Sequence, residues 1–143
     1  MRPKVLGIDY GTKRIGLAVA SPLGTVHPRP RLDRTAPAAD LRALAELADE
    51  EDVASIVIGL PHHMDGAKSE MEIAARAFAA QLAEATGLPV FGTDERLSSQ
   101  VADSMLAERT RDPRKRKERV DSAAACLLLT DYLAAEEKAE RIA

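Results

Sequence analysis

Hydrophobic and polar positions follow two different periods along this chain. Lys4 to Asp9 is a nearly unbroken apolar run closing on a carboxylate, the pattern of a central strand buried on both faces. After the turn Tyr10-Gly11-Thr12-Lys13, Ile15, Leu17 and Val19 alternate with smaller residues, as in a hairpin partner. Pro22, Gly24, Pro28 and Pro30 bound a short third strand at Thr25 to His27, so the first three strands read as an antiparallel meander. From Pro37 the period lengthens. Leu41, Leu44, Ala45 and Ala48 share one helical face, and that helix runs out in a solvated Asp49-Glu50-Glu51-Asp52 end.

Ser55 to Leu60 is a second buried strand, closed by Pro61. Met71, Ala74, Ala75, Phe78 and Leu82 stripe a second helix, which Gly87 and Pro89 terminate. Val90 to Thr93 is a third buried strand, ending in Asp94-Glu95-Arg96. Ser98 or Ser99 can then cap a helix carrying Val101, Ala102, Met105 and Leu106. A basic loop around Pro113 leads to a last helix from about Arg119 to Glu140. Strands that alternate with helices must pair in parallel, because consecutive parallel strands need a crossover. The expected fold is α/β: one domain over residues 1–143, with a five-stranded mixed sheet (an antiparallel meander of three plus two parallel strands) and helices on both faces.

Composition narrows the class. The chain has 143 residues, enough for one self-sufficient core, and its single cysteine, Cys126, rules out an internal disulfide or a cysteine metal cluster. Tyr10, Phe78, Phe91 and Tyr132 are the aromatic residues, too few for a module that reads single strands by stacking bases on exposed rings. The longest uncharged stretch, Ile15 to Pro28, is broken by Pro22 and Gly24, so no membrane span is expected. The start of the chain shows no signal-peptide cleavage pattern, and a cytoplasmic location is expected.

Charge is unevenly spread. Residues 1–34 hold seven basic and two acidic side chains, and residues 109–119 again hold seven and two, whereas residues 35–108 hold four and fourteen. If folding joins the two basic segments, they make a positive surface suited to a phosphate backbone; apart, each is a solvated charge run.

Three carboxylates stand out. Asp9 and Glu95 lie at the carboxyl ends of expected parallel strands, where open sheets place their ligands. Asp121 recurs at helical spacing with Ala124, Ala125, Leu128 and Tyr132, so it faces the sheet among apolar neighbours, where an uncompensated carboxylate is costly. Taken singly, each acid could cap a turn, pair with a neighbouring arginine or cap a helix. Converging, the three would repel one another unless hard cations such as Mg2+ or Mn2+ neutralise them. Oxygen-only ligation favours such ions over zinc, and two of them about 4 Å apart can activate water and stabilise the leaving oxygen of a phosphodiester.

Four blocks carry a resemblance. Gly7-Ile8-Asp9-Tyr10-Gly11-Thr12-Lys13-Arg14-Ile15-Gly16-Leu17-Ala18, Gly59-Leu60-Pro61 with Met64-Asp65-Gly66, Asp94-Glu95-Arg96-Leu97-Ser98 and Val120-Asp121-Ser122-Ala123-Ala124 resemble, in order, the signatures of the YqgF family. These are RuvX-type Holliday junction resolvases, also described as pre-16S rRNA nucleases, with an RNase H-like fold. The resemblance implies that Asp9 bridges two metal ions, that Glu95 and Asp121 complete the metal site, and that Lys13, Arg14 and Arg96 are basic positions beside it. His62-His63 departs from the Leu-Asn-like pair expected there.

The expected function is metal-dependent hydrolysis of phosphodiester bonds in structured nucleic acid, by processing of the 5′ end of pre-16S rRNA or resolution of Holliday junctions. Asp9, Glu95 and Asp121 are the candidate catalytic and metal-binding residues. Lys13, Arg14, Arg96 and the basic run Arg114-Lys115-Arg116-Lys117 are the candidate substrate contacts. Nucleic acid is the expected partner, ribosomal precursor particles a possible context, and either a monomer or a homodimer is compatible. Two other classes compete. A non-catalytic RNA-binding assembly protein would keep the fold and the basic run, and an actin-like or sugar-kinase-like ATPase domain would use the Asp-x-Gly-Thr turn for phosphate.

Overall fold

The computed structural model describes residues 3–60, 70–94, 113–134 and 139–143; at 94 and 113–122 the description is of the backbone. The elements in chain order are β1 (Val5–Tyr10), β2 (Arg14–Ala20), β3 (Val26–Asp33), α1 (Pro37–Glu51), β4 (Ser55–Leu60), α2 (Glu70–Thr86), β5 (Val90–Asp94), α3 (Pro113–Ala134) and β6 (Glu140–Arg141). They form a sheet of order β3-β2-β1-β4-β5-β6. The meander β1-β2-β3 is antiparallel, and β1, β4 and β5 run parallel, as the two periods predict.

The near-continuous apolar runs of β1 and β4 follow from burial on two sides. Leu6, Ile8, Ile56, Ile58 and Leu60 pack toward Leu44 and Ala48 of α1 and Ala75, Phe78 and Leu82 of α2. Their alternates Val5 and Val57 pack toward Ala125, Leu128, Leu129 and Tyr132 of α3. The sheet therefore separates two apolar layers, and α3 alone forms the second among the described residues. Its stripe of Ala124, Ala125, Leu128 and Tyr132 is buried as its spacing requires.

Three expectations are corrected. The sheet has six strands, not five: β6 pairs antiparallel with β5 through Phe91↔Arg141 and Gly92↔Glu140. Its two exposed residues carry no alternation a pattern could reveal, and the pairing is extended by backbone bonds, Val90 N–H to the Ala143 oxygen and Ile142 N–H to the Val90 oxygen, both 2.9 Å. The third strand extends to Asp33 through Pro28 and Pro30, which an edge strand tolerates because proline's missing N–H costs it no inward ladder bond.

The third correction concerns the basic run. The last helix begins at Pro113, six residues earlier than expected, and ends at Ala134, so Arg114 to Lys117 belong to a helix and not to a loop. Proline suits a first helical turn, and Lys, Arg and Glu are good helix formers, so nothing between 113 and 119 interrupts it. The helix expected over Ser98 to Leu106 lies outside the described residues.

Candidate active site

Asp9 ends the apolar part of β1, opposite Gly16 of β2, and is half-buried. It shares its sheet face with Val5, which packs beneath α3, since positions two and four apart on a strand lie on one face. The parallel strands β1, β4 and β5 bring their carboxyl ends to one edge of the sheet. Ile8 is level with Ile58, Ile58 with Gly92, and Leu60 with Asp94, the last residue of β5. Glu95 follows Asp94 directly in the chain but, with Arg96, lies outside the described residues.

Asp121 lies in α3, one turn before Ala125 and eight residues before Leu129. It belongs to the helix covering the face on which Asp9 sits. Leu129 packs directly over Gly7, where a Cβ would come within 2.9 Å of a leucine methyl carbon, so helix and strand approach closely two residues before Asp9. Among the described residues no three histidine, cysteine, aspartate or glutamate side chains gather as a metal site. Glu95 and the side chain of Asp121 stand outside that set, so it does not include the three expected acids together.

The turn after Asp9 is tight. A Cβ on Gly11 would collide with the carbonyl oxygen of Arg14, which explains a glycine at that point. Lys13, the next but one, is exposed and makes no ion pair among the described residues. Arg14 has its Nε 4.0 Å from Asp33, which also takes Arg31 at 3.2 Å. Lys4 and Arg29 converge on Glu51, and Arg34 pairs with Asp40. Among the described residues the basic N-terminal segment is thus largely engaged in internal pairs, and its expected positive surface there narrows to Lys13 and a weakly held Arg14. Glu51 does not belong to a solvated helix end as expected: the hydrogen bond from Arg29, supported by Lys4, lowers its pKa to about 2.

Other residues behave simply. His27 is exposed and its Nε2 lies 3.1 Å from the Thr25 hydroxyl, a surface role. Cys126 is half-buried on α3, and burial pushes its thiol pKa up, as for a small hydrophobe without reactive character. His62 and His63 are outside the described residues. The sequence reading missed the Arg34–Asp40 pair behind the turn. An acid in the first turn of a helix reads as a routine complement to the helix dipole, and only the tertiary structure shows that Asp40 is buried.

A profile of the RuvX family, described as Holliday junction resolvase, matches residues 3–135. The chain belongs to the RuvX family. A relative from Moorella thermoacetica named "Putative pre-16S rRNA nuclease" is 40% identical over 131 residues, covering 91% of this chain and 94% of its own. A relative of the same name from Rhizobium rhizogenes is 44% identical over 131 residues, covering 90% of this chain and 79% of its own. Among solved structures, RuvC of T. thermophilus in complex with a Holliday junction substrate superposes with a TM-score of 0.62 at 15% identity, covering 98% of this chain and 99% of the other. A second Thermus thermophilus RuvC structure gives 0.60. The RuvX chain therefore has the RuvC-type, RNase H-like α/β fold, and its family is one of nucleases. No helix among its described residues is long and apolar enough to cross a membrane.

Proposed function

We propose that this RuvX protein is a single-domain, metal-dependent nuclease that processes the 5′ end of pre-16S rRNA in the cytoplasm, on free transcript or precursor particles. The observation that carries the proposal is the half-buried Asp9, at the edge where β1, β4 and β5 end and on the face covered by the helix of Asp121. The named function of relatives at 40 to 44% identity supplies the substrate. Resolution of Holliday junctions is the second reading, favoured by the family description, and symmetric cleavage of a junction would need two active sites, hence a homodimer.

Asp9, Glu95 and Asp121 are the residues that would hold Mg2+ or Mn2+. Carboxylate oxygens are the donors these ions prefer, and three such acids brought together would suit a pair of them. When bound, two such ions supply an activated water and stabilise the leaving oxygen of the phosphodiester. The chain's own groups then bind and orient. Asp9 is fixed by its strand, and Lys13, Arg14 and Arg96 take the phosphate next to it. From the run Arg114-Lys115-Arg116-Lys117, Arg114 and Lys117 above all hold the backbone farther along. Arg114 to Lys117 are four consecutive cations at the start of α3, whose first turn holds no acid, so they set positive charge at the positive end of a helix dipole, an arrangement that a bound phosphate relieves.

The test is cleavage of matched pre-16S RNA and junction DNA, with Mg2+, Mn2+ or a chelator, by the wild type, Asp9→Asn and Asp121→Asn. Metal-dependent cleavage of the RNA, lost in both variants while binding is kept or tightened, is the expected result, since removing a negative charge reduces repulsion of phosphate. Cleavage of the junction alone selects the second reading. An Asp9→Asn protein that still supports processing would leave only an RNA-binding assembly role.

A further inference from the structure

Arg34 lies outside both strands and helices, between β3 and α1, yet it is more constrained than Arg14, the arginine of the nuclease reading whose side chain is among the described residues. Its Nη1 donates to the carbonyl oxygen of Gly11 at 3.1 Å, and its Nε donates to Oδ2 of Asp40 at 3.2 Å. Its guanidinium carbon stands 4.8 Å from the centre of the Tyr10 ring and 5.4 Å from that of Phe78, and the two rings contact each other at 5.1 Å. Its backbone N–H donates to the carbonyl oxygen of Lys13 at 2.9 Å. Asp40 is buried, and its other oxygen accepts the N–H of Thr35 at 3.1 Å.

These bonds converge on one segment. Gly11 and Lys13 are two of the three residues between β1 and β2, and Tyr10, the last residue of β1, joins them to Asp9. One residue thus secures two of the three turn carbonyls and the Tyr10 side chain that leads into the turn, while a buried carboxylate fixes that residue in place. Only a planar fork with several donors can serve a carbonyl, a carboxylate and two ring faces at once; an ammonium on a flexible stem cannot.

We propose that Arg34, oriented by Asp40, is a positioning residue of the nuclease site: it holds the turn that fixes the last residues of β1, and so sets Asp9 relative to Lys13. The proposal rests on the nuclease reading above. Neither Arg34 nor Asp40 touches substrate in this scheme. Arg34 sets the geometry of the groups that do, and a displacement of about 1 Å in such groups can cost roughly 100-fold in rate.

The experiment compares Arg34→Lys, Asp40→Asn and Asp9→Asn with the wild type, at temperatures well below each protein's own melting point. Arg34→Lys is expected to lower kcat roughly 10- to 100-fold while KM for the RNA changes less than threefold. Without metal or substrate, amide hydrogen exchange in Gly11 to Arg14 should speed up by at least tenfold, while amides in α2 and β4 keep their protection. Asp40→Asn, the same shape without the charge, should move both readouts in the same direction by less, and serves in place of Arg34→Lys should that variant not fold. Unchanged kcat and unchanged turn exchange in a folded variant overturn the proposal. A fall in kcat matched by uniform loss of protection throughout the chain also overturns it, because that is general destabilisation. An active Asp9→Asn protein would instead overturn the nuclease reading itself, so the two failures are distinct.

Discussion

Leu129 occupies the space that a side chain on Gly7 would fill. A Cβ at Gly7 would overlap Cγ of Leu129 and lie 2.9 Å from one of its methyl carbons. The absence of a side chain at this rung of β1 lets α3 lie close against the strand, one strand pair before Asp9. Gly7→Ala is therefore expected to destabilise the protein by roughly 1–3 kcal/mol, the usual range for overpacking a dense core. Shortening the opposing side chain in Gly7→Ala/Leu129→Val should recover part of that loss. Urea denaturation of both variants measures the coupling, and a neutral Gly7→Ala would mean that α3 has room to move outward at no cost.

Glu51 joins three parts of the fold. It ends α1, accepts from Arg29 Nε of β3 at 2.5 Å and Nη2 at 3.2 Å, and accepts from Lys4 just before β1 at 3.2 Å. The Arg29 hydrogen bond is the main cause that lowers its pKa from 4.5 to about 2. A carboxyl with a depressed folded pKa contributes its stabilisation in full above its unfolded pKa and loses it as pH falls through the folded one. Stability should therefore drop by about 2–3 kcal/mol from this group between pH 5 and pH 2, as the shift implies at 1.36 kcal/mol per unit. Glu51→Gln should lower stability at pH 7 by a similar amount and flatten that part of the profile. Denaturant midpoints across the acid range test it, and wild type and variant with parallel profiles would refute it.

Strands β1, β2, β4 and β5 and the buried faces of α1, α2 and α3 were legible because burial leaves a period. Leu6 and Ile8 of β1 point to one layer and Val5 to the other, so the run is apolar throughout, while Leu44 and Ala48 recur at one helical turn. What escaped notice lacks such a period. β6 is held by backbone bonds and by Glu140, which lies 2.8 Å from Arg76 of α2, and two exposed residues carry no pattern. Glu72 and Asp40 are buried acids whose arginine partners, Arg76 and Arg34, make burial affordable; one pair is four residues apart and the other six, and neither spacing announces burial. Of the candidate site, Asp9 and its turn were legible from a strand ending in a carboxylate followed by glycine. The brace behind that turn was not, because Arg34 acts through tertiary contacts with Tyr10 and Phe78.

The helical state of the basic run changes what its substitution should do. In a loop, Arg114, Lys115, Arg116 and Lys117 would contribute nearly equally to backbone binding. In α3 they are separated by about 100° per residue. Positions 114 and 117 fall on the stripe that continues through 121, 125, 128 and 132, the last three of which are occupied by Ala125, Leu128 and Tyr132 against the sheet. Positions 115 and 116 fall off it. Arg114→Ala and Lys117→Ala are therefore expected to weaken RNA binding most, each reducing the slope of log affinity against log salt by about 0.7–0.9, the value for one lost phosphate contact. Lys115→Ala and Arg116→Ala should change that slope by much less. Measuring affinity from 50 to 300 mM salt in the Asp9→Asn background separates binding from cleavage. Equal losses at all four positions would show that helical phase does not order the contacts, and no loss at any of them would remove this run from the substrate interface.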